Sequence, residues 1–305
     1  MATDLLADVD LFGDRYKPQA KDILSERFGV PPFSVLNARE GDWQERKRRW
    51  ISLGIQSEIG REALAFTTQC AMSDGSMLST MVGTSVFDPV LCELAYRWFA
   101  PPGGMVVDPF AGGSVRGIVA GLMGNGYLVI DLRHEQIQAN VAQRDAICPE
   151  ADCSWLTGDS MDMMGQAPPA DFIFTCPPYG DLERYSDDPR DLSTMEYHTF
   201  IAAYRRIILR CSKTLKVDRF ACFVVGDFRD ERGNYRGFVA DTINAFREVG
   251  MPLYNDAVLI TAVGSLPVRV SAQFDGSRKL GKTHQNVLVF AKGDPRKMPR
   301  DSDII

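Results

Sequence analysis

The apolar stretch Asp171-Phe172-Ile173-Phe174 runs directly into Thr175-Cys176-Pro177-Pro178-Tyr179. Proline has no N–H to give a sheet and holds φ near about −65°. The chain therefore leaves its strand in an extended, stiff turn. That turn brings a backbone carbonyl, the Cys176 side chain and the Tyr179 ring into one small space. A flat ring carrying an exocyclic amine suits such a space, because the aromatic ring can stack on it and the carbonyl can accept its N–H groups. A buried cysteine closing a strand is the plain structural alternative, but it leaves the doubled proline and the tyrosine unexplained.

A second set of residues lies upstream. Asp108-Pro109-Phe110-Ala111-Gly112-Gly113-Ser114 falls between a short apolar run, Met105-Val106-Val107, and the helical stretch Val115–Met123. Glycines at a strand-to-helix turn let the backbone approach a ligand closely. In a doubly wound sheet, ligands bind at the carboxyl ends of the strands. Asp131 ends the next apolar run, Tyr127-Leu128-Val129-Ile130, where an acid commonly takes a ribose hydroxyl pair. Gly158-Asp159-Ser160 adds a third polar edge that suits an adenine amino group. There is no G-x-x-x-x-G-K-[ST] phosphate cradle, and Asp108 at a strand end would repel a pyrophosphate. An acid there favours a cationic ligand instead, such as the ammonium or sulfonium of S-adenosylmethionine.

The elements that must position these groups follow from the pattern. Asp88 is placed to cap a helix through Trp98 that carries Val90, Leu91, Leu94, Ala95 and Trp98 on one face. Short apolar strands at 105–107, 127–130, 154–156, 172–174, 220–225, 257–262 and 286–291 alternate with helices at 115–123, 134–146, 195–211 and 237–248. This alternation predicts an α/β fold with a mostly parallel sheet covered on both faces. The last two strands have no helix between them and predict an antiparallel edge hairpin. Upstream, Lys21–Phe28 reads as a short helix. Asp42 is positioned to cap a helix from Trp43 to Leu53, with Glu45 completing a capping box. Residues 68–83 read as a loop or linker.

These motifs together resemble the amino-methyltransferases that modify exocyclic nitrogens of DNA bases. Asp108–Ser114 is similar to the family's D-P-F-x-G-x-G signature, with Ser114 at the second glycine position and Gly113 one place early. Thr175–Tyr179 is similar to its [DNS]-P-P-[YFW] motif, with Cys176 in place of Asp, Asn or Ser. Thr84-Ser85-Val86-Phe87-Asp88-Pro89 resembles the motif that touches the methionine end of the donor, and residues 282–290 resemble the final hairpin strand. The resemblance spans residues 84–292, leaving 1–83 as an N-terminal accessory region with possible DNA contact and 293–305 as a tail. It implies a Rossmann-like class I methyltransferase sheet with S-adenosylmethionine as cofactor. Thr84, Phe87, Asp108, Pro109, Phe110, Gly112, Gly113, Asp131, Asp159 and Ser160 would form the donor site. Cys176, Pro177, Pro178 and Tyr179 would form the catalytic site, acting on a base flipped out of DNA. A thiol is a weak acceptor, so Pro177 is expected to carry more of the load. The serine form of the motif is common on cytosine, which keeps cytosine beside adenine as the target. RNA or protein amino-methylation, a non-catalytic homologue, and thiolate attack for carbon-5 methylation are the rival readings.

Composition bounds the rest. The 305 residues have a net charge of −6, which argues against a globally basic nucleic-acid coat but not against a local patch. Arg46-Lys47-Arg48-Arg49 between Trp43 and Trp50 is one such patch, and Arg278, Lys279 and Lys282 form another. Tyr185, in the polar loop after the catalytic turn, and Asp227 and Arg229 after the fifth strand are further candidates to face the site. Seven cysteines without C-x-x-C spacing and only three histidines predict free thiols, no metal site and a cytoplasmic location. No apolar run reaches the ~18–20 residues of a membrane span. No dedicated target-recognition domain is expected beyond residues 1–80 and the loops.

Overall fold

The computed structural model describes residues 23–56, 59, 66–71, 77–82, 87–182, 184–264 and 266–299. Chain order begins with α1 (Ile23–Phe28), β1 (Val35–Asn37), α2 (Gly41–Ser52), β2 (Phe66–Ala71), β3 (Met77–Val82) and α3 (Pro89–Phe99). It continues with β4 (Met105–Asp108), α4 (Val115–Leu122), β5 (Gly126–Asp131), α5 (His134–Ile147), β6 (Cys153–Thr157), α6 (Ser160–Met163) and β7 (Ala170–Thr175). It closes with α7 (Tyr197–Thr214), β8 (Leu215–Val225), α8 (Phe238–Glu248), β9 (Leu253–Ile260), α9 (Leu266–Ser277) and β10 (His284–Lys292).

Eight strands form one sheet in the order β1-β9-β10-β8-β7-β4-β5-β6. All neighbours are parallel except β10, which runs antiparallel to both β8 and β9. This is a Rossmann-like α/β sheet, mostly parallel with one antiparallel strand. The expected hairpin of β9 and β10 is present, but it is not the edge, because β1 pairs in parallel with β9 outside it. Alternate side chains along each strand enter opposite cores. Val106, Phe172, Phe174, Phe220 and Cys222 pack under α3 and α4, while Val107, Ile173, Ala221 and Phe223 pack under α7 and α8. Among the described residues, no helix is long and apolar enough to cross a membrane.

Helix ends explain where the sequence pattern held. Asp88 does cap α3, accepting a hydrogen bond from the Val90 N–H at 3.0 Å. Asp42 does not cap α2. The helix starts at Gly41, so Asp42 is already in the first turn, and Glu45 pairs with Arg49 at 3.0 Å instead of closing a capping box. The expected loop over 68–83 is replaced by β2 and β3, an antiparallel pair from Phe66↔Val82 to Ala71↔Met77. Thr67, Thr68, Thr80 and Val82 are β-branched and favour the extended backbone.

The N-terminal elements are joined to the sheet domain. Trp43 and Trp50 are buried, and Ile55 joins them in the core under α3. The buried Glu93 of α3 receives Arg46 through Nε at 2.8 Å and Nη2 at 2.9 Å, and the Trp50 indole N–H at 2.9 Å. Lys47 pairs with Asp88 at 3.1 Å. Arg46 and Lys47 are thus spent on carboxylates of α3 and its cap, Arg49 on Glu45, and the flanking tryptophans fill the core. This replaces the expectation of a basic, aromatic face for phosphate, leaving Arg48 as the exposed cation of the run.

Candidate functional site

At the carboxyl ends of β4 and β7 lies a buried polar knot built on Asp108. Asp108 ends β4 and has no exposure at all. Its Oδ2 accepts hydrogen bonds from Arg116 Nε at 2.6 Å and the Tyr127 hydroxyl at 2.9 Å. Its Oδ1 accepts from the Thr175 hydroxyl at 2.5 Å and the Phe110 N–H at 2.9 Å. A buried charge is tolerated when it is paired and fully hydrogen-bonded, and Asp108 meets both conditions. The carboxylate expected to face the donor's cation therefore faces Arg116 instead, behind the cavity wall. Arg116 in turn donates through Nη2 to the Phe110 and Ala111 carbonyls at 2.5 and 2.7 Å, which fixes the glycine-rich loop.

In front of that knot lies one cavity of about 890 Å³. Phe87, Pro109, Phe110, Gly112, Gly113, Asp131, Asp159 and Ser160 line it, together with Cys176, Pro177, Pro178 and Tyr179. Of the residues singled out in the sequence, Asp108 is behind the wall and Thr84 lies outside the described residues. Gly112 adopts a left-handed φ of 52°, and its N–H donates to Asp131 Oδ2 at 3.1 Å. Asp131 Oδ1 accepts from the Arg133 N–H at 2.9 Å. Asp159 caps α6 through the Met161 N–H at 2.8 Å, and the Ser160 hydroxyl donates to the Pro109 carbonyl at 2.5 Å. These bonds tie the three loops to one another. A carboxylate oxygen that accepts one N–H can still accept a second hydrogen bond.

The Cys176–Tyr179 turn is held from behind by aromatic packing. Tyr179 stacks on Phe228, with rings 12° apart in tilt and 6.5 Å between centroids, and meets Phe238 edge-on. Gly180 takes a left-handed φ of 53°, and a Cβ there would lie 2.8 Å from the Phe228 ring. Glycine at 180 is what lets Phe228 approach the turn. The Tyr179 oxygen accepts a hydrogen bond from Gln285 Nε2 at 2.6 Å and lies 3.8 Å from Cys176 Sγ. Burial pushes the phenol well above its ordinary range, with the neighbouring Cys176 adding to the effect. Among the described residues, nothing donates a hydrogen bond to the Pro177 carbonyl.

Several cavity residues carried no signal in the sequence. Gln44 reaches it from α2, Arg116 from α4, and Gln285 and His284 from β10, while Lys47, which the sequence marks only as part of a basic patch, also lines it from α2. Arg116 and Cys176 line the same cavity, which places a cation in the thiol's pocket that chain neighbours do not reveal. Helix α9 interrupts the expected β9–β10 turn, and its Leu266 and Gln273 line the cavity with Leu280. Arg229, Tyr235 and Lys282 form a stacked group at the same mouth, with the Arg229 guanidinium 3.9 Å from the Tyr235 ring centre. Tyr185 and Asp227, both expected near the site, also line it.

No family model matches the chain, and no curated protein matches it. Solved structures with a similar fold include TrmN from Thermus thermophilus, at 16% identity and a TM-score of 0.45 over 68% of this chain and 49% of that one. The chain thus spans about half the length of that protein. Magnesium protoporphyrin IX methyltransferase from Synechocystis PCC 6803, crystallised with bound S-adenosylmethionine, aligns at 11% identity and a TM-score of 0.41 over 63% of this chain and 71% of that one. A candidate DNA modification methylase, also from Thermus thermophilus, aligns at 17% identity and a TM-score of 0.36 over 48% of this chain and 55% of that one.

Proposed function

We propose that the chain is an S-adenosylmethionine-dependent methyltransferase acting on the exocyclic amine of adenine or cytosine in DNA. The observation that carries this reading is the shared cavity. The loops after β4, β5 and β6 and the Cys176–Tyr179 turn after β7 line one space of about 890 Å³. A nucleotide-sized donor and a flat acceptor ring need such a common space.

The residues present fit that donor. Asp131 and Asp159 offer carboxylate acceptors at the ends of adjacent strands, for a ribose hydroxyl pair and an adenine amino group. Gly112 and Gly113 leave the wall between them free of side chains, and Phe87 and Phe110 supply apolar surface. Asp108 acts through others: it fixes Arg116, Phe110 and Thr175 rather than touching the donor. When bound, S-adenosylmethionine supplies an electrophilic methyl group.

The protein's part concerns the acceptor. An exocyclic amine is a weak nucleophile because its lone pair is delocalised into the ring. The Pro177 carbonyl accepts one of its N–H groups and Cys176 faces the other, which favours pyramidal nitrogen and stabilises the positive charge that develops there. Tyr179, braced by Phe228 and Gln285, stacks on the base. No covalent bond to the protein forms along this route.

The test is transfer of label from methyl-labelled donor to separate pools of DNA, RNA and protein. Label in DNA is the expected result. Label confined to RNA or protein overturns the acceptor assignment, and no label in any pool overturns catalysis.

A further inference from the structure

Two cations at the cavity mouth are held by carbonyls rather than by carboxylates. Arg229 donates through Nη1 to the Gly233 carbonyl at 2.7 Å, and Lys282 donates to the Asp227 carbonyl at 3.1 Å. Among the described residues, neither is in an ion pair. Both lie within cation–π distance of one ring: the Tyr235 centre is 3.9 Å from the Arg229 guanidinium carbon and 5.7 Å from Lys282 Nζ. Lys279 joins them, its side chain lying against the left-handed Gly233. Like charges gathered this closely repel, and an anion among them relieves the repulsion. Burial lowers the Lys282 ammonium from its ordinary value, with Asp227 opposing the effect and Arg229 adding to it.

This group adjoins the acceptor turn. A Cβ on Gly226 would lie 3.7 Å from Lys282 Nζ and 3.8 Å from the Tyr179 ring. The ammonium and the ring thus flank the same bare stretch of backbone. Tyr235 is 47% exposed, so an aromatic surface stands open beside the charges. Cations that track a backbone next to a ring that stacks a base are the means by which proteins hold single strands.

Charge at the entrance is one-sided. Residues 276–283 carry three cations and no acid. Residues 180–191 carry five acids against two arginines, and those arginines pair with Asp187 at 2.8 Å and Asp188 at 2.6 Å. Leu182, Tyr185 and Arg190 of that segment line the same cavity. A duplex brings two phosphate backbones to the entrance, and the acidic segment repels the second. A single strand brings only one.

We propose that Arg229, Tyr235, Lys279 and Lys282 cradle the phosphate backbone of a single DNA strand, whose unpaired base enters the Cys176–Tyr179 turn. The proposal rests on the DNA reading above and narrows it to a strand that is already open, so that no base pair has to be broken.

The experiment is fluorescence anisotropy of the full chain with a labelled DNA oligonucleotide of mixed sequence, single-stranded or annealed to its complement, over a series of salt concentrations. Wild type should bind the single strand about tenfold tighter than the duplex, the scale of one stacked base. Lys282→Met and Lys279→Gln should each make the dependence of log affinity on log salt shallower by about 0.7, the loss of one phosphate contact on a single strand. Tyr235→Ala should weaken single-strand binding about tenfold and keep the wild-type slope. All three variants should bind S-adenosylhomocysteine as wild type does by calorimetry, and the partly exposed Lys279 keeps the test open should Lys282→Met melt early. An unchanged slope in both lysine variants, or duplex binding as tight as single-strand binding, overturns the cradle and leaves the methyltransferase reading standing. Wild type that binds S-adenosylhomocysteine but neither form of DNA overturns the DNA reading, and the cradle with it.

Discussion

The Thr175 hydroxyl donates to Asp108 Oδ1 at 2.5 Å, fully buried between two adjacent strands. Thr175 immediately precedes the Cys176–Tyr179 turn, and Asp108 opens the glycine-rich loop. One hydrogen bond therefore fixes the spacing between the two halves of the cavity. Thr175→Val keeps the shape and removes the donor. It should cost about 1.5–3 kcal/mol, the worth of a hydrogen bond to a buried charge, read by urea denaturation. Asp108→Asn should cost more, roughly 3–5 kcal/mol, because Arg116 then stays buried without its counter-charge. Unchanged stability in both variants would contradict the knot.

Tyr179 is expected to act through its ring. Tyr179→Ala should lower turnover about 10- to 100-fold, matching roughly 1–3 kcal/mol of base stacking, while donor affinity by calorimetry stays nearly constant. Tyr179→Phe keeps the stack on Phe228 and should retain most activity. The buried phenol should also stay protonated past the ordinary tyrosine range near about pH 10, seen as a missing tyrosinate step in ultraviolet titration against Tyr179→Phe.

Cys176 separates two chemistries. If it only faces an amine N–H, Cys176→Ser should keep turnover within about tenfold, since a hydroxyl accepts hydrogen bonds better than a thiol. A thiolate nucleophile would instead lose several orders of magnitude and would trap covalently on a fluorinated cytosine. Retained turnover without trapping is the expected outcome.

Asp171 is the second residue of β7, the strand that leads to the site. Burial works to raise its carboxyl, but hydrogen bonds from Lys216, the Met105 N–H and Arg219 outweigh it and hold the group below its usual value. A folded pKa below the unfolded one gives stability that is present above the unfolded value, about 3.9, and is lost as pH falls through the folded value. The stability gap between wild type and Asp171→Asn should therefore narrow on acidification below about pH 4. A gap constant from pH 7 to the acid limit would contradict this.

The fold was legible where alternation decides it. Phe172-Ile173-Phe174 and Met105-Val106-Val107 announce buried parallel strands, and the turn chemistry after each marks the ligand edge. Long-range pairing was not legible. Asp108 reads as a free acid at a strand end, and only the fold brings Arg116, Tyr127 and Thr175 onto it. Arg46 and Lys47 read as a basic face, yet α3 supplies Glu93 and Asp88 across a helix interface that the local pattern does not encode. Helix α9 was hidden because Leu266, Val268 and Phe274 give only a weak helical period, broken by Pro267 and Gly276. Gln285, one residue inside β10, has no local signal, since its role comes from lying across the sheet from Tyr179.

The most direct measurement is mass spectrometry of nucleosides from DNA of mixed sequence after incubation with methyl-labelled donor and the full chain. Labelled N6-methyladenine or N4-methylcytosine is the predicted product, sharply reduced with Tyr179→Ala. Label on cytosine carbon 5, or unlabelled DNA alongside labelled RNA or protein, would contradict the account.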